Sequence, residues 1–481
     1  MEVVRVKKYD EVYDKIDCDP GTAMEIADRF TFEVPGAKFM PAVRNKVWDG
    51  KIRVFNPMSC LLYCGLRHEL ERFCKPRDYT VEYEGIEADE EFSLVEAAEA
   101  VKKMDLTLEP RDYQVSAFVH AVRKRRALLL SPTASGKSLI IYMLTRYYDA
   151  RTLVIVPTTS LVSQLASDFA SYGLDSDALV HRIYSGQDKH TDKPITVSTW
   201  QSLYKLPKEY FQQFDVVIGD EAHLFKAKSL TAIMTKATNA KYRFGFTGTL
   251  DGTLTNKTVL EGLFGPVMKV TTTAELMEND HVAQLKIKAI VLKHSDESKK
   301  LVSKMDYQAE MDFLVRSIPR NKFIMNLALS LDGNTLLLFQ YVDKHGKVLY
   351  DAIKSKAGDR PVYFVSGSVS GDEREDIRAI IEKETNAVLV ASYGTTSTGV
   401  NIRNLHNVVF ASPSKSRIRN LQSIGRGLRK SDDGRPTTLY DISDDLAWKS
   451  KKNYTMLHFV ERIKTYSEEN FDWKVYTIEL K

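Results

Sequence analysis

The chain has 481 residues, more than one hydrophobic core can serve, and at roughly 100 to 200 residues per domain it predicts about three domains. Its composition, 43% hydrophobic, 27% charged and 10% aromatic, is that of a soluble globular protein; no apolar run spans a membrane, and the start, MEVVRVKKYDEVYDKIDCD, lacks a signal core, so a cytoplasmic location is expected. Lys and Arg outnumber Asp and Glu by only 68 to 64, which excludes polyanion binding through bulk charge and leaves any nucleic-acid surface to local patches.

Residues 1–85 read as a small α+β domain holding all four cysteines, Cys18, Cys60, Cys64 and Cys74. Their spacing lacks the two close pairs of a zinc site and favours buried thiols, with zinc as the alternative. In NKVWDGKIRVF, residues 45–55, two short runs meet at Asp49-Gly50, a hairpin-turn signature. Here Arg44, Trp48, Lys51 and Arg53 interleave charge with an aromatic ring: either a nucleic-acid surface, or an ordinary hairpin with Trp48 turned inward. An acidic stretch, EGIEADEEFSLVEAAEA, follows at 84–100. The basic run Arg123-Lys124-Arg125-Arg126 reads as a solvated helix end more readily than as a DNA contact.

From about Leu128 onward, short runs rich in Val, Ile and Leu alternate with helix-length segments, the rhythm of parallel α/β sheets. One series has strands near 127–131, 152–157, 195–199, 215–221 and 242–249. A second has them near 335–340, 361–366, 387–392, 407–412 and 437–443. Two tandem α/β domains are expected, at 96–270 and 331–445, with 271–330 as a connecting segment and 446–481 as a C-terminal extension.

SPTASGKS at 131–138 follows a predicted strand and opens a helix, as a phosphate loop requires. Lys137 would reach the β and γ phosphates, Ser138 would ligate Mg²⁺, and amide groups at the helix start would cradle oxygens; the bland reading is a charged turn before an amphipathic helix. DEAH at 220–223 sits at a strand end, where Asp220 can hold Mg²⁺ on a neighbouring strand and Glu221 can orient and deprotonate water. Alone it could be a solvated loop. In QSIGRGLRK, Arg426 and Arg429 share a helix face and could stabilise γ-phosphate charge, or simply end a basic helix.

LEPRDYQ, SPTASGKS, VPTTSLVSQ, VSTWQS, DEAH, FTGT, LLLFQYV, YGTTSTGVNI and QSIGRGLR occur in this order between residues 108 and 430. Together they resemble a superfamily 2 helicase of the DEAH-lettered kind. The resemblance implies two tandem RecA-like P-loop NTPase domains with ATP and Mg²⁺ as cofactors. Arg111 and Gln114 would meet adenine, and Thr133, Ser135, Gly136, Lys137, Ser138 and Asp220 the rest of the nucleotide. Gly399 and Asn401 would lie between nucleotide and nucleic acid; Thr247, Thr249, His223 and Gln422 would couple hydrolysis to movement. Pro157, Thr158, Gln164, Thr199, Ser366, Gly367 and Arg374 would touch the nucleic-acid backbone. The family tolerates Ser131 at the first loop position, whereas Ala134 replaces a usual glycine and bears on nucleotide affinity.

The same resemblance implies an ATP-dependent DNA helicase of recombination, repair and replication, acting with 3′ to 5′ polarity on single-stranded and branched DNA such as Holliday junctions, stalled forks and R-loops with their RNA–DNA hybrids. A monomer is expected. One rival is an RNA helicase or RNP-remodelling ATPase, which the same motor can serve. Another is a non-enzymatic nucleic-acid binder with a vestigial site, against which Lys137, Asp220, Glu221 and Arg426 stand intact.

Overall fold

The computed structural model describes every residue except 1, 35, 185, 251, 368–376, 378, 398–403, 413–433 and 481. The chain divides into two compact units: residues 1–131 with 136–270, and residues 271–481 with the segment 132–135.

The first unit opens with a five-stranded sheet in the order Phe55–Asn56, Leu61–Tyr63, Tyr13–Asp17, Val3–Lys8, Thr80–Glu84, antiparallel except for the last pair. VVRVKK has the period-2 pattern of such a strand, and it buries Val4 and Val6. The helix Pro20–Arg29 starts where Asp19 accepts from the N–H groups of Gly21 and Thr22, with proline at its first position.

The hairpin expected at 45–55 does not form. Pro41 presets a helical turn, Pro41–Arg44, and the N–H groups of Val47 and Trp48 both donate to Ala42 O at 2.9 and 3.1 Å, so they are unavailable to a ladder. The strand Lys51–Arg53 pairs instead with Thr31–Glu33. Gly50 does hold a left-handed φ of 78°, so the turn signal was real and only the partner strand was wrong.

This sheet is packed on the first parallel sheet through one continuous apolar core, in which Val6, Leu66 and Phe73 join Phe225, Leu260 and Phe264. The helix Leu254–Phe264 is the seat: a Cβ on Gly65 would stand 1.9 Å from Glu261 O, so only glycine allows the approach. Arg126 adds an ion pair to Glu11 at 2.7 Å, and Glu11 N donates to Thr238 O at 3.0 Å.

The parallel sheet has seven strands in the order Val180–Ile183, Ile195–Thr199, Thr152–Val156, Val216–Asp220, Tyr242–Thr247, Arg126–Leu130, Val267–Lys269. Its central strands are buried along their length, as a sheet covered by helices on both faces requires. The basic run before it is a helix end, as expected, with Arg123 and Lys124 exposed in the last turn of the helix Asp112–Lys124, and it is also paired. Arg123 donates to Phe92 O at 2.6 Å, Lys124 pairs with Asp89, Arg125 with Glu87 at 3.1 Å, and Arg126 is buried. The acidic stretch is therefore the counter-charge of the basic one.

The second unit holds another seven-stranded parallel sheet, in the order Val362–Val365, Val388–Ser392, Thr335–Phe339, Asn407–Phe410, Thr437–Asp445, Leu285–Lys293, Asp472–Glu479. Two of these strands lie outside the expected 331–445. The segment read as a connection supplies Leu285–Lys293, where Leu285, Ile287 and Ala289 are buried between exposed Lys286 and Lys288. The C-terminal residues add the edge strand Asp472–Glu479 and the helix Tyr454–Glu468, whose Arg462 meets Asp441 at 2.8 Å inside the core, with Tyr466 OH donating to Asp441 at 2.9 Å. Among the described residues no helix is long and apolar enough to cross a membrane.

Candidate nucleotide-hydrolysis site

Apart from Arg111 and Gln114, which open the helix Asp112–Lys124, the main residues expected to handle nucleotide and backbone phosphate in the first unit follow the carboxyl ends of parallel strands, the edge at which open α/β sheets bind ligands. Lys137 follows Arg126–Leu130, Asp220 ends Val216–Asp220, Thr247 ends Tyr242–Thr247, Thr158 follows Thr152–Val156, and Thr199 ends Ile195–Thr199. The strand of Asp220 is not beside the phosphate-loop strand as expected. Tyr242–Thr247 lies between them, and that places Thr247 between loop and acids.

Its position is fixed from both sides. Ser131 N donates to Thr247 O at 2.9 Å, while Thr247 Oγ1 is 3.0 Å from His223 Nδ1 and donates to Thr249 O at 3.0 Å. His223 in turn lies 3.3 Å from Glu221 Oε2, and Glu221 Oε1 accepts from Lys137 Nζ at 3.3 Å. A continuous polar chain thus runs from Lys137 through Glu221 and His223 to Thr247.

Burial works to lower the Lys137 pKa, but the charges of Glu221 and Asp220 outweigh it and hold the ammonium above its ordinary value. For Glu221, burial pushes upward, and Lys137 with His223 overcomes it and draws the carboxyl down to about 2. Asp220 goes the other way: burial and the charge of Glu221 raise it despite Lys137. Asp220 is the carboxylate whose charge would gain most from a cation. With the hydroxyl of Ser138 it offers hard oxygen donors, the set that suits Mg²⁺.

Gly136 opens the helix Lys137–Tyr148 with φ 75°, and an added Cβ there would meet Gln114 Nε2 at 2.4 Å. Gln114 donates to Gly136 O at 3.3 Å and accepts from Arg111 N at 2.8 Å, which ties the expected adenine-side residues to the loop. Ser135 Oγ donates to Pro132 O at 2.6 Å, and Thr133 and Ala134 occupy the turn between them. Ala134 has φ 67°, a conformation that costs a side chain roughly 1–2 kcal/mol. Ala134→Gly is therefore expected to stabilise the protein by about 0.5–1 kcal/mol after the added freedom of the unfolded chain is subtracted, read as a raised denaturant midpoint.

Ser138 Oγ is 2.8 Å from Tyr172 OH, a partner that no motif announced. Tyr172 caps the helix Thr159–Ser171, and a ring contact with Tyr142, at 5.5 Å, is a second tie to the phosphate-loop helix.

Among the expected backbone contacts, Thr158 caps the helix Thr159–Ser171, Pro157 O accepts from Gln201 at 3.4 Å, Gln164 is exposed, and Thr199 Oγ1 lies 3.0 Å from Ser202 Oγ. In the second unit Ser366 is buried and Gly367 exposed, just past Val362–Val365. Arg374, Gly399, Asn401, Gln422, Arg426 and Arg429 lie outside the described residues. In the N-terminal sheet region Arg44 and Lys51 are exposed, Arg53 is tied to Asp49 at 2.5 Å, and Trp48 is half-buried with Nε1 donating to Lys51 O at 3.0 Å. The cysteines are free thiols, and burial pushes Cys64 and Cys74 up to about 11.

A phosphate loop facing paired acids on a parallel sheet, followed by a second such sheet, defines the class of nucleoside-triphosphate-driven motors. Residues 107–252 match the family model of the type III restriction enzyme res subunit, and residues 320–431 that of the helicase conserved C-terminal domain. Residues 3–84 match the N-terminal domain of DNA helicase UvsW.

The ATP-dependent DNA helicase uvsW of Enterobacteria phage T4 is 36% identical over 504 aligned positions, covering 99% of this chain and 100% of that protein. The crystal structure of T4 UvsW matches with TM-score 0.53 at 34% identity, covering 99% of this chain and 100% of that one. A DNA 3′-5′ translocase, XPB2 of Sulfurisphaera tokodaii, is 30% identical over 193 positions, 40% of this chain and 42% of its own. The chain belongs to the UvsW family of ATP-dependent DNA helicases.

Proposed function

We propose that this helicase hydrolyses ATP with Mg²⁺ to translocate along DNA with 3′ to 5′ polarity and to remodel branched structures: four-way junctions, stalled forks and R-loops. The observation that carries the chemistry is the chain Lys137–Glu221–His223–Thr247. The end-to-end likeness to a DNA helicase supports DNA over RNA, and the name of the archaeal relative supports the polarity. A monomer working in the cytoplasm, the host's if the gene is phage-borne like its relative's, fits the same reading.

Mg²⁺, held by Ser138 and Asp220, would supply charge neutralisation on the phosphates. Lys137, turning from Glu221 to the phosphate oxygens, would release that carboxylate from its strongest opposing cation. Glu221 would then become a stronger base, able to orient the attacking water and take its proton. His223 would pass the change to Thr247, and Arg426 and Arg429 would stabilise the γ-phosphate from the second unit.

The test compares ATP turnover with single-stranded DNA, duplex, four-way junction, R-loop and RNA. Stimulation by single-stranded DNA and by the junction is expected. Stimulation by RNA with none by DNA would replace the reading with an RNA motor.

A further inference from the structure

Val34 and residues 36–50 belong to a closed loop on the N-terminal sheet region. Its ends are tied where Val34 N donates to Gly50 O at 2.9 Å, and the Ala37 methyl packs so close to Gly50 that an added Cβ would meet it at 2.9 Å. The helical turn Pro41–Arg44, with Val47 and Trp48 bonded back to Ala42 O, stiffens its interior. Such a loop can turn its apolar residues inward, and this one does so with Ala37. Phe39 and Val47 do the opposite: they are 73% and 81% exposed, with Met40 41% exposed beside Phe39.

The charge around them is mostly positive, with exposed Glu33, in register with Lys51, the nearby exception. Lys38, Arg44, Lys46 and Lys51 are exposed, and the Lys38 ammonium lies 5.1 Å from the Phe39 ring centroid. The one acid within 36–51, Asp49, is taken by Arg53. Apolar tips inside a basic ring match a partner that offers flat apolar faces between phosphates, which is what stacked bases present. A protein partner would account for the apolar tips but not the basic residues; an anionic lipid surface would account for both, and DNA is preferred because the loop is carried on the first lobe of a DNA motor.

The mount is rigid as well. The loop's own sheet region shares its core with the motor's first parallel sheet, and Glu33, next to the loop, accepts through its carbonyl from Thr255 Oγ1 at 3.5 Å on the seating helix. A side chain that parts strands must not swing away when DNA is drawn against it.

We propose that Phe39, Met40 and Val47 form a wedge that enters between bases at a fork or junction, so that translocation by the motor parts the strands there. This rests on the helicase reading above and moves the stacking role from Trp48, which is half-buried and bonded through its indole N–H, to Phe39.

The experiment uses the full chain carrying Phe39→Ser with Val47→Ser, together with Phe39→Trp alone. Three quantities are read: ATP turnover stimulated by single-stranded DNA, unwinding of a forked duplex, and fluorescence of 2-aminopurine placed at the fork. The double variant is expected to keep its ATP turnover within about twofold, to lose about tenfold in unwinding, and to lose the fluorescence rise that reports an unstacked base; Phe39→Trp should retain both. Unwinding within twofold of the parent would overturn the wedge and leave the patch to a protein contact. Turnover falling in step with unwinding would make the patch a plain binding surface and overturn it too. A parent chain whose ATP turnover ignores DNA would overturn the helicase reading itself, and the wedge with it.

Discussion

Lys137→Ala is expected to lower DNA-stimulated ATP turnover by about 10³-fold while leaving the circular dichroism spectrum unchanged. The lysine both opposes the paired acids and can meet the developing phosphate charge, standing 3.3 Å from Glu221. Its loss should also show in the pH dependence of stability. Glu221 has a folded pKa of about 2 against an ordinary 4.5, so it contributes stability that is fully present above about pH 4.5 and is lost as the pH falls towards 2. Without Lys137 that depression shrinks. The parent should then lose more stability than the variant between pH 5 and about 3 in denaturant melts at stepped pH. A variant that retains a tenth of parental turnover would remove Lys137 from the chemistry.

Gly65→Ala should destabilise the first unit by about 3 kcal/mol. The added methyl points at the carbonyl of Glu261 from 1.9 Å, and the obstacle is helix backbone rather than a side chain that could rotate away. Either the N-terminal sheet lifts from the helix Leu254–Phe264 or the helix shifts, and both open the core shared by Leu66 and Leu260. Gly394→Ala, with nothing within 4 Å of the new methyl and a place in the helical turn Tyr393–Ser397, is the control and should hold or slightly raise the denaturant midpoint. Equal midpoints for the two variants would mean that the two layers separate freely.

The central strands were legible because burial on both faces demands unbroken Val, Ile and Leu, as in TLVIV and TLLLF, and such runs have few other uses. Edge strands carry a weaker demand. VHRI at the rim of the first sheet is half polar and was passed over, as was the C-terminal strand DWKVYTIE. LKIKAIVLK was missed for another reason: its lysines alternate with buried residues, but it stands among helices and looked like linker.

At the candidate site, residue types announced the chemistry at Lys137, Asp220 and Glu221, and the Gly50 turn was readable from its dipeptide. Pairings across the sequence were not. The strand of Thr247 inserts between loop and acids, Tyr172 meets Ser138, and the acidic residues near 87–90 neutralise the basic run that follows. Each depends on which strands and helices lie side by side, which no local pattern encodes. The same limit hid Phe39, an aromatic whose meaning lies in facing outward.

Strand Leu285–Lys293 takes Thr437–Asp445 on one side and Asp472–Glu479 on the other, so its neighbours are made roughly 150 residues after it. At about 5 to 20 residues per second, a ribosome leaves that apolar ribbon without either partner for some 8 to 30 seconds. The sheet of the later lobe is thus completed only after Asp472–Glu479 has been made. A message cut short upstream of codon 437 would release a polypeptide with a sticky, half-made sheet, a natural client for chaperones and proteases.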